Sequence, residues 1–201
     1  APARRGKPHR TEETGNTMKD EDLDFTRTLA KPIPAPSLEL VESAGKEAAV
    51  GGPHLRSAGY YVAMARRAAA TIPPRDGERY ILLVIDDDPD LSSLLVDIFR
   101  TAGFDVRTAK NRAEINAEVN KPLLPDLILL DIVLPDADGL QILGRLRLHP
   151  KFARMPVILM TGKSEVADVK AGLAAGADGY VSKPFKASAL VTAVNLVLGR
   201  T

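Results

Sequence analysis

Residues 81–95 read ILLVIDDDPDLSSLL, and this stretch decides the fold. Ile81 to Ile85 is a continuous apolar run, short enough for a strand buried on both faces, as in parallel sheets covered by helices. The chain leaves it through Asp86, Asp87, Asp88 and Asp90, packed into the next few positions. Like charges that close repel, so a cation or a helix N-terminus must stand beside the strand end. Leu91 to Gly103 reads as the helix that follows. Asp88 and Asp90 fall at its start, where the helix dipole favours negative charge.

The same unit repeats downstream. DVRTA (105–109), DLILLD (126–131), PVILMT (156–161) and GYVS (179–182) read as strands, and they alternate with helices over residues 111–120, 139–149, 164–176 and 186–200. Continuous apolar strands alternating with helices predict an α/β fold, a doubly wound five-stranded parallel sheet.

Upstream the composition changes. Residues 1 to about 36 are polar and charged and finish in the proline cluster LAKPIPAPS, which reads as an arm without a core of its own. SLELVESAGKEAAV (37–50) predicts a short helix capped by Ser37 and weakened by Gly45. Beyond Gly51, Gly52 and Pro53, the residues Leu55, Ala58, Val62, Ala65, Ala69 and Ile72 recur at helical spacing and predict an amphipathic helix. TIPPRDGER then breaks the pattern, giving an N-terminal extension over 1–78 and an α/β domain over 79–201.

Several function classes are excluded by composition. The chain has 201 residues, 45% hydrophobic, with formal net charge +1 and no cysteine, so thiolate metal sites and disulfides are out and no overall field favours nucleic acid. No apolar run has the length of a membrane span, and a cytoplasmic protein is expected. With the last helix reaching Arg200, no C-terminal effector is expected either.

In sheets of this kind ligands bind at the carboxyl ends of the strands, beside the point where strand order reverses. If the order is the common 2-1-3-4-5, Asp86 and Asp87 after the first strand face Asp131 after the third. Such an oxygen-rich cluster suits a hard, partly hydrated cation, Mg2+ or Mn2+. Thr161 and Lys183 occupy the ends of the fourth and fifth strands. A hydroxyl and an ammonium aimed at a metal-bound carboxylate describe a phosphoryl site, with one aspartate as acceptor. Asp86, Asp88, Asp90 and Asp97 also imitate the spacing of a calcium-binding loop, but Leu91 replaces the glycine such a loop needs and a strand precedes it. His149, at the end of a helix, reads as structural, and His9 and His54 have no partner motif.

VIDDDP, LILLDIVLPDADG, VILMTG and GADGYVSKPF together resemble the signature segments of the response-regulator receiver domain (CheY-like, flavodoxin-like fold) of bacterial two-component signalling, from Tyr80 to about Arg200. The resemblance implies Asp131 as phosphoacceptor, Asp86 and Asp87 as the acidic pair, and the Val133 backbone carbonyl as a further metal ligand. It also implies Thr161, Lys183 and Tyr180 as switch residues, Pro184 after a cis bond, and Val133 and Lys163 as positions that tune rate. A haloacid-dehalogenase-type phosphatase would need an aspartate where Val133 stands. The implied function is acceptance of a phosphoryl group from a histidine kinase or phosphotransfer protein, with output through changed protein binding and no turnover beyond the domain's own phosphorylation and dephosphorylation. A constitutive docking protein is one alternative. Another is a nucleic-acid arm through Arg4, Arg5, Lys7 and Arg10, which the acidic run from Asp20 to Asp24 opposes. Expected contacts are a homodimer through the extension, or through the face made by the fourth helix, fifth strand and fifth helix of the domain, with that face available for output.

Overall fold

The computed structural model describes residues 23–27, 32–63, 72–75 and 77–200. Arg4, Arg5, Lys7, His9, Arg10, Asp20, Ala65 and Ala69 lie outside them. The extension contributes α1 (Leu38–Ala58) and β1 (Tyr60–Val62). The domain follows as β2 (Ile81–Ile85), α2 (Pro89–Thr101), β3 (Asp105–Ala109), α3 (Arg112–Val119), β4 (Leu127–Asp131), α4 (Gly139–Leu148), β5 (Val157–Thr161), α5 (Val166–Ala175), β6 (Gly179–Ser182) and α6 (Ala187–Leu198). None of the described helices is long and apolar enough to cross a membrane.

The sheet runs β1-β6-β5-β4-β2-β3. Its last five strands are parallel and have the expected doubly wound order, reversing between β2 and β4. The expected count of five is corrected to six, because β1 adds antiparallel to the edge of β6, pairing Tyr60 with Val181, Tyr61 with Tyr180 and Val62 with Gly179. β2, β4 and β5 are buried along their whole length, which is why they need unbroken apolar sequence. Leu83, Ile128 and Leu159 meet Ile115, Leu146 and Val169 from α3, α4 and α5 on one side. Leu82, Leu129 and Met160 meet Phe99 and Leu190 from α2 and α6 on the other.

The extension departs most from expectation. Instead of a short helix and a second one over 55–72, one helix of 21 residues runs from the Ser37 cap through Gly45, Gly51, Gly52 and Pro53. Its buried stripe is Ala44, Ala48, Gly51, Gly52 and Leu55, which places α1 in the same layer as α5. The glycines permit the approach: a Cβ on Gly52 would lie 2.9 Å from the Val166 side chain and 3.1 Å from its backbone N. Gly and Pro inside a helix each cost about 1–3 kcal/mol in isolation, and this packing offsets the cost. Gly59 ends the helix in the left-handed region (φ 81°), and the chain turns directly into β1.

One further expectation is corrected. Ala44, Ala48 and Leu55 of α1 and Tyr61 of β1 pack into the cluster of α5 and β6 of the same chain. The face of α5, β6 and α6, expected to stay free, carries α1 and β1. The arm also holds more structure than its composition suggests. Leu23 and Phe25 are both 2% exposed, and Phe25 lies under the Arg145 guanidinium of α4 at 5.7 Å. Arg145 also donates to the Arg27 carbonyl. Buried Leu23 and Phe25, with the Arg145 hydrogen bonds, hold residues 23–27 against the domain.

Candidate functional site

The carboxyl ends of β2, β4, β5 and β6 converge at the point where strand order reverses. Asp86 follows β2 and Asp131 closes β4, and they are 1% and 7% exposed. Asp87, beside Asp86, is exposed. One carboxylate oxygen from each of these three lies within 4.8 Å of the others. Lys183, after β6, reaches across with its Nζ 2.7 Å from both Asp86 Oδ2 and Asp131 Oδ2. The second oxygen of each carboxylate accepts from the backbone two residues on: Asp86 Oδ1 from Asp88 N–H and Asp131 Oδ1 from Val133 N–H, each at 3.1 Å.

Burial pushes the Asp86 carboxyl up, against the lowering effect of the Lys183 ammonium and the Asp88 N–H. Burial works against the charge on Lys183 too, but the hydrogen bonds to Asp131 and Asp86 outweigh it and hold the amine above the usual lysine range. One ammonium therefore serves three clustered carboxylates. The remaining negative charge and the all-oxygen donor set fit a hard divalent cation.

Thr161 ends β5 and is 3% exposed. Its Oγ1 accepts the Lys163 N–H at 2.8 Å, and its carbonyl accepts the Lys183 N–H at 2.7 Å, so the ends of β5 and β6 are tied together. The Lys183–Pro184 bond is cis, as the resemblance implied. Lys163 and Val133 are exposed at the rim. Tyr180 is placed differently: it points away from the carboxylates, 1% exposed, beneath α5, where its hydroxyl donates to the Val169 carbonyl at 2.6 Å. Burial pushes its phenol up.

Asp88 is the N-cap of α2, accepting from Asp90 N–H and Leu91 N–H, and takes no part in the cluster. His149 caps α4, buried against Phe152, with its Nδ1 accepting from Lys151 N–H. Two supporting residues escaped the sequence reading. Gly139 starts α4 against the Asp131 backbone, and a Cβ there would collide with the Asp131 carbonyl oxygen. Gly172 leaves room in α5 for the Tyr180 hydroxyl. The Asp138-Gly139 pair was the available signal for the first, an N-cap before a residue without a side chain.

The description "response regulator receiver domain" matches residues 82–195. The chain belongs to the response regulator receiver family. The DNA-binding response regulator MtrA of Mycolicibacterium smegmatis is 38% identical over 125 residues, 62% of this chain and 53% of MtrA. The DNA-binding dual master transcriptional regulator RpaA of Synechocystis is 38% identical over 120 residues, 60% of this chain and 49% of RpaA. The chain thus spans about half the length of the curated relatives it matches. A putative response regulator from Chloroflexus aurantiacus superposes with a TM-score of 0.57 at 34% identity, covering 61% of this chain and 100% of the other. Vibrio cholerae CheY4, at 24% identity and TM-score 0.56, shares the fold over 59% of this chain and 98% of its own. Residues 82–195 are therefore a receiver domain, a signalling module. α1 and β1 lie outside the matched residues.

Proposed function

We propose that residues 79–201 form the receiver proper and accept a phosphoryl group on Asp131 from a histidine kinase or histidine phosphotransfer protein. The observation that carries this reading is Lys183 bridging Asp86 and Asp131 at 2.7 Å inside a three-carboxylate cluster. An Asp131 oxygen attacks phosphorus, the P–N bond to the donor imidazole breaks, and the imidazole leaves with its proton. Lys183 neutralises one phosphoryl oxygen, and Thr161 turns its hydroxyl to donate to another. Asp86, Asp87, Asp131 and the Val133 carbonyl would hold Mg2+ (or Mn2+), which when bound supplies charge neutralisation at the transferring group. Val133 and Lys163, at the rim, govern access of water and small donors.

Output is a change in protein binding, and the chain is a signalling protein that assists its own phosphorylation and dephosphorylation. Phosphohistidine is made from ATP in the cytoplasm, and the reading places the protein there. DNA binding figures in the names of MtrA and RpaA. For this chain a net charge of +1 supplies no general attraction to the phosphate backbone. Incubation with a phosphorylated kinase or with acetyl phosphate should give an acid-stable, base-labile phosphoryl label on the intact chain and none on Asp131→Asn. Label at the wild-type level in the variant would overturn the assignment. The asparagine can still accept the Val133 N–H, so the fold survives the substitution.

A further inference from the structure

α1 and β1 are mounted on the two strand ends that bear Thr161 and Lys183. The Gly59 carbonyl, at the end of α1, accepts the Ser182 N–H at 3.0 Å, and the next residue is Lys183. Arg56, in the last turn of α1, donates to the Ser164 carbonyl at 3.3 Å and pairs with Glu165 at 3.1 Å, in the turn that leaves Thr161. Gly52 rests on the Val166 backbone with no room for a Cβ. Tyr61 of β1 stands opposite Tyr180 of β6, ring centroids 6.3 Å apart, and hydrogen-bonds Glu47 of α1 at 2.8 Å.

A phosphoryl group on Asp131 brings about two negative charges and three acceptor oxygens to this place. The donors facing it are Thr161 and Lys183, and each is continuous with a seat of the extension. Drawing Thr161 inward carries Ser164–Val166 away from α1, and drawing Lys183 inward shifts Ser182 against Gly59. The contact at Gly52 has no slack to follow such a movement. We propose that the α5–β6–α6 face is a docking surface for the chain's own α1 and β1, and that phosphorylation of Asp131 unseats them. The inference rests on the assignment of Asp131 as acceptor. Unseating leaves the edge of β6 unpaired and uncovers Val169, on which Gly51 rests, and the side of Tyr180 that faces Tyr61. Modification at one end of the sheet thereby becomes exposure of an apolar edge.

The test is hydrogen–deuterium exchange on the full chain with Mg2+, with and without beryllofluoride as the phosphoryl mimic. Residues 161–166 report occupancy of the site, and residues 40–62 report the seating of the extension. Exchange over 40–62 should rise about tenfold on binding, within the ~5–150-fold range of ordinary coupling. Coupling is reciprocal, so Gly52→Val, which lifts α1 off Val166 without touching the site, should raise beryllofluoride affinity by a similar factor. Arg56→Ala, which removes only the exposed polar link, should give a smaller shift in the same direction. Protection changes over 161–166 with none over 40–62, or unchanged affinity in Gly52→Val, would overturn the inference and leave the acceptor assignment standing. Failure of beryllofluoride to bind the wild-type chain at all would overturn that assignment, and the inference with it.

Discussion

Lys183 shows how much one side chain settles at this site. Its ammonium touches two carboxylates that would otherwise face each other almost without water, since Asp86 is 1% and Asp131 7% exposed. Breaking a fully buried pair costs about 3–5 kcal/mol. Lys183 keeps 24% of its side chain exposed, so Lys183→Ala should cost less, about 2 kcal/mol. A divalent cation among the same carboxylates should recover part of that loss. Urea unfolding of the variant with and without millimolar Mg2+ checks both statements, and a variant as stable as wild type without Mg2+ would show that the pair has no structural weight. Lys163 offers a contrasting case, because its side chain is exposed and only its backbone N–H holds Thr161. Lys163→Glu should leave stability unchanged and slow phosphorylation by acetyl phosphate several-fold at low salt, where screening is weakest. Equal rates under those conditions would make Lys163 an ordinary surface residue.

At the scale of elements, those nearest the site were the most legible. β2, β3 and β6 have the bounds read from ILLVI, DVRTA and GYVS, and Asp86, Asp131, Thr161 and Lys183 were readable because each stands where a strand stops. Local pattern and tertiary burial agree there. They disagree in the extension, where Leu55, Ala58 and Val62 imitate a helical stripe although the chain turns at Gly59 into a strand. A strand of three residues has too few alternations to show a period, and it exists because β6 offers an unpaired edge. Gly51, Gly52 and Pro53 read locally as a break, yet their smallness or placement is what the α1–α5 contact uses. Gly139 presents the same logic beside the chemistry. Gly139→Ala should push α4 off the Asp131 backbone and slow phosphoryl acceptance more than it alters thermal stability. A labelling rate equal to wild type, measured beside a melting curve, would show that α4 can retreat without moving Asp131.

Over the whole molecule the extension wraps the receiver from α4, where Phe25 sits under Arg145, to the edge of β6. The matching Chloroflexus aurantiacus chain is covered over 100% of its length by the receiver-sized match, so a receiver of this kind folds without such a wrapping. Deleting residues 1–78 should therefore leave a folded domain, but one with the β6 edge open and the apolar side of α5 in water. Exposing side chains such as Val169 and Tyr180 costs about 1.5–3 kcal/mol each when complete. Open apolar edges also recruit one another. The truncated receiver should melt lower than the intact chain and associate with rising concentration, whereas the intact chain, its edge already paired, should scatter light as a monomer. A truncated domain that stays monomeric at high concentration, with an unchanged melting point, would mean that α1 and β1 contribute nothing to covering this face in solution.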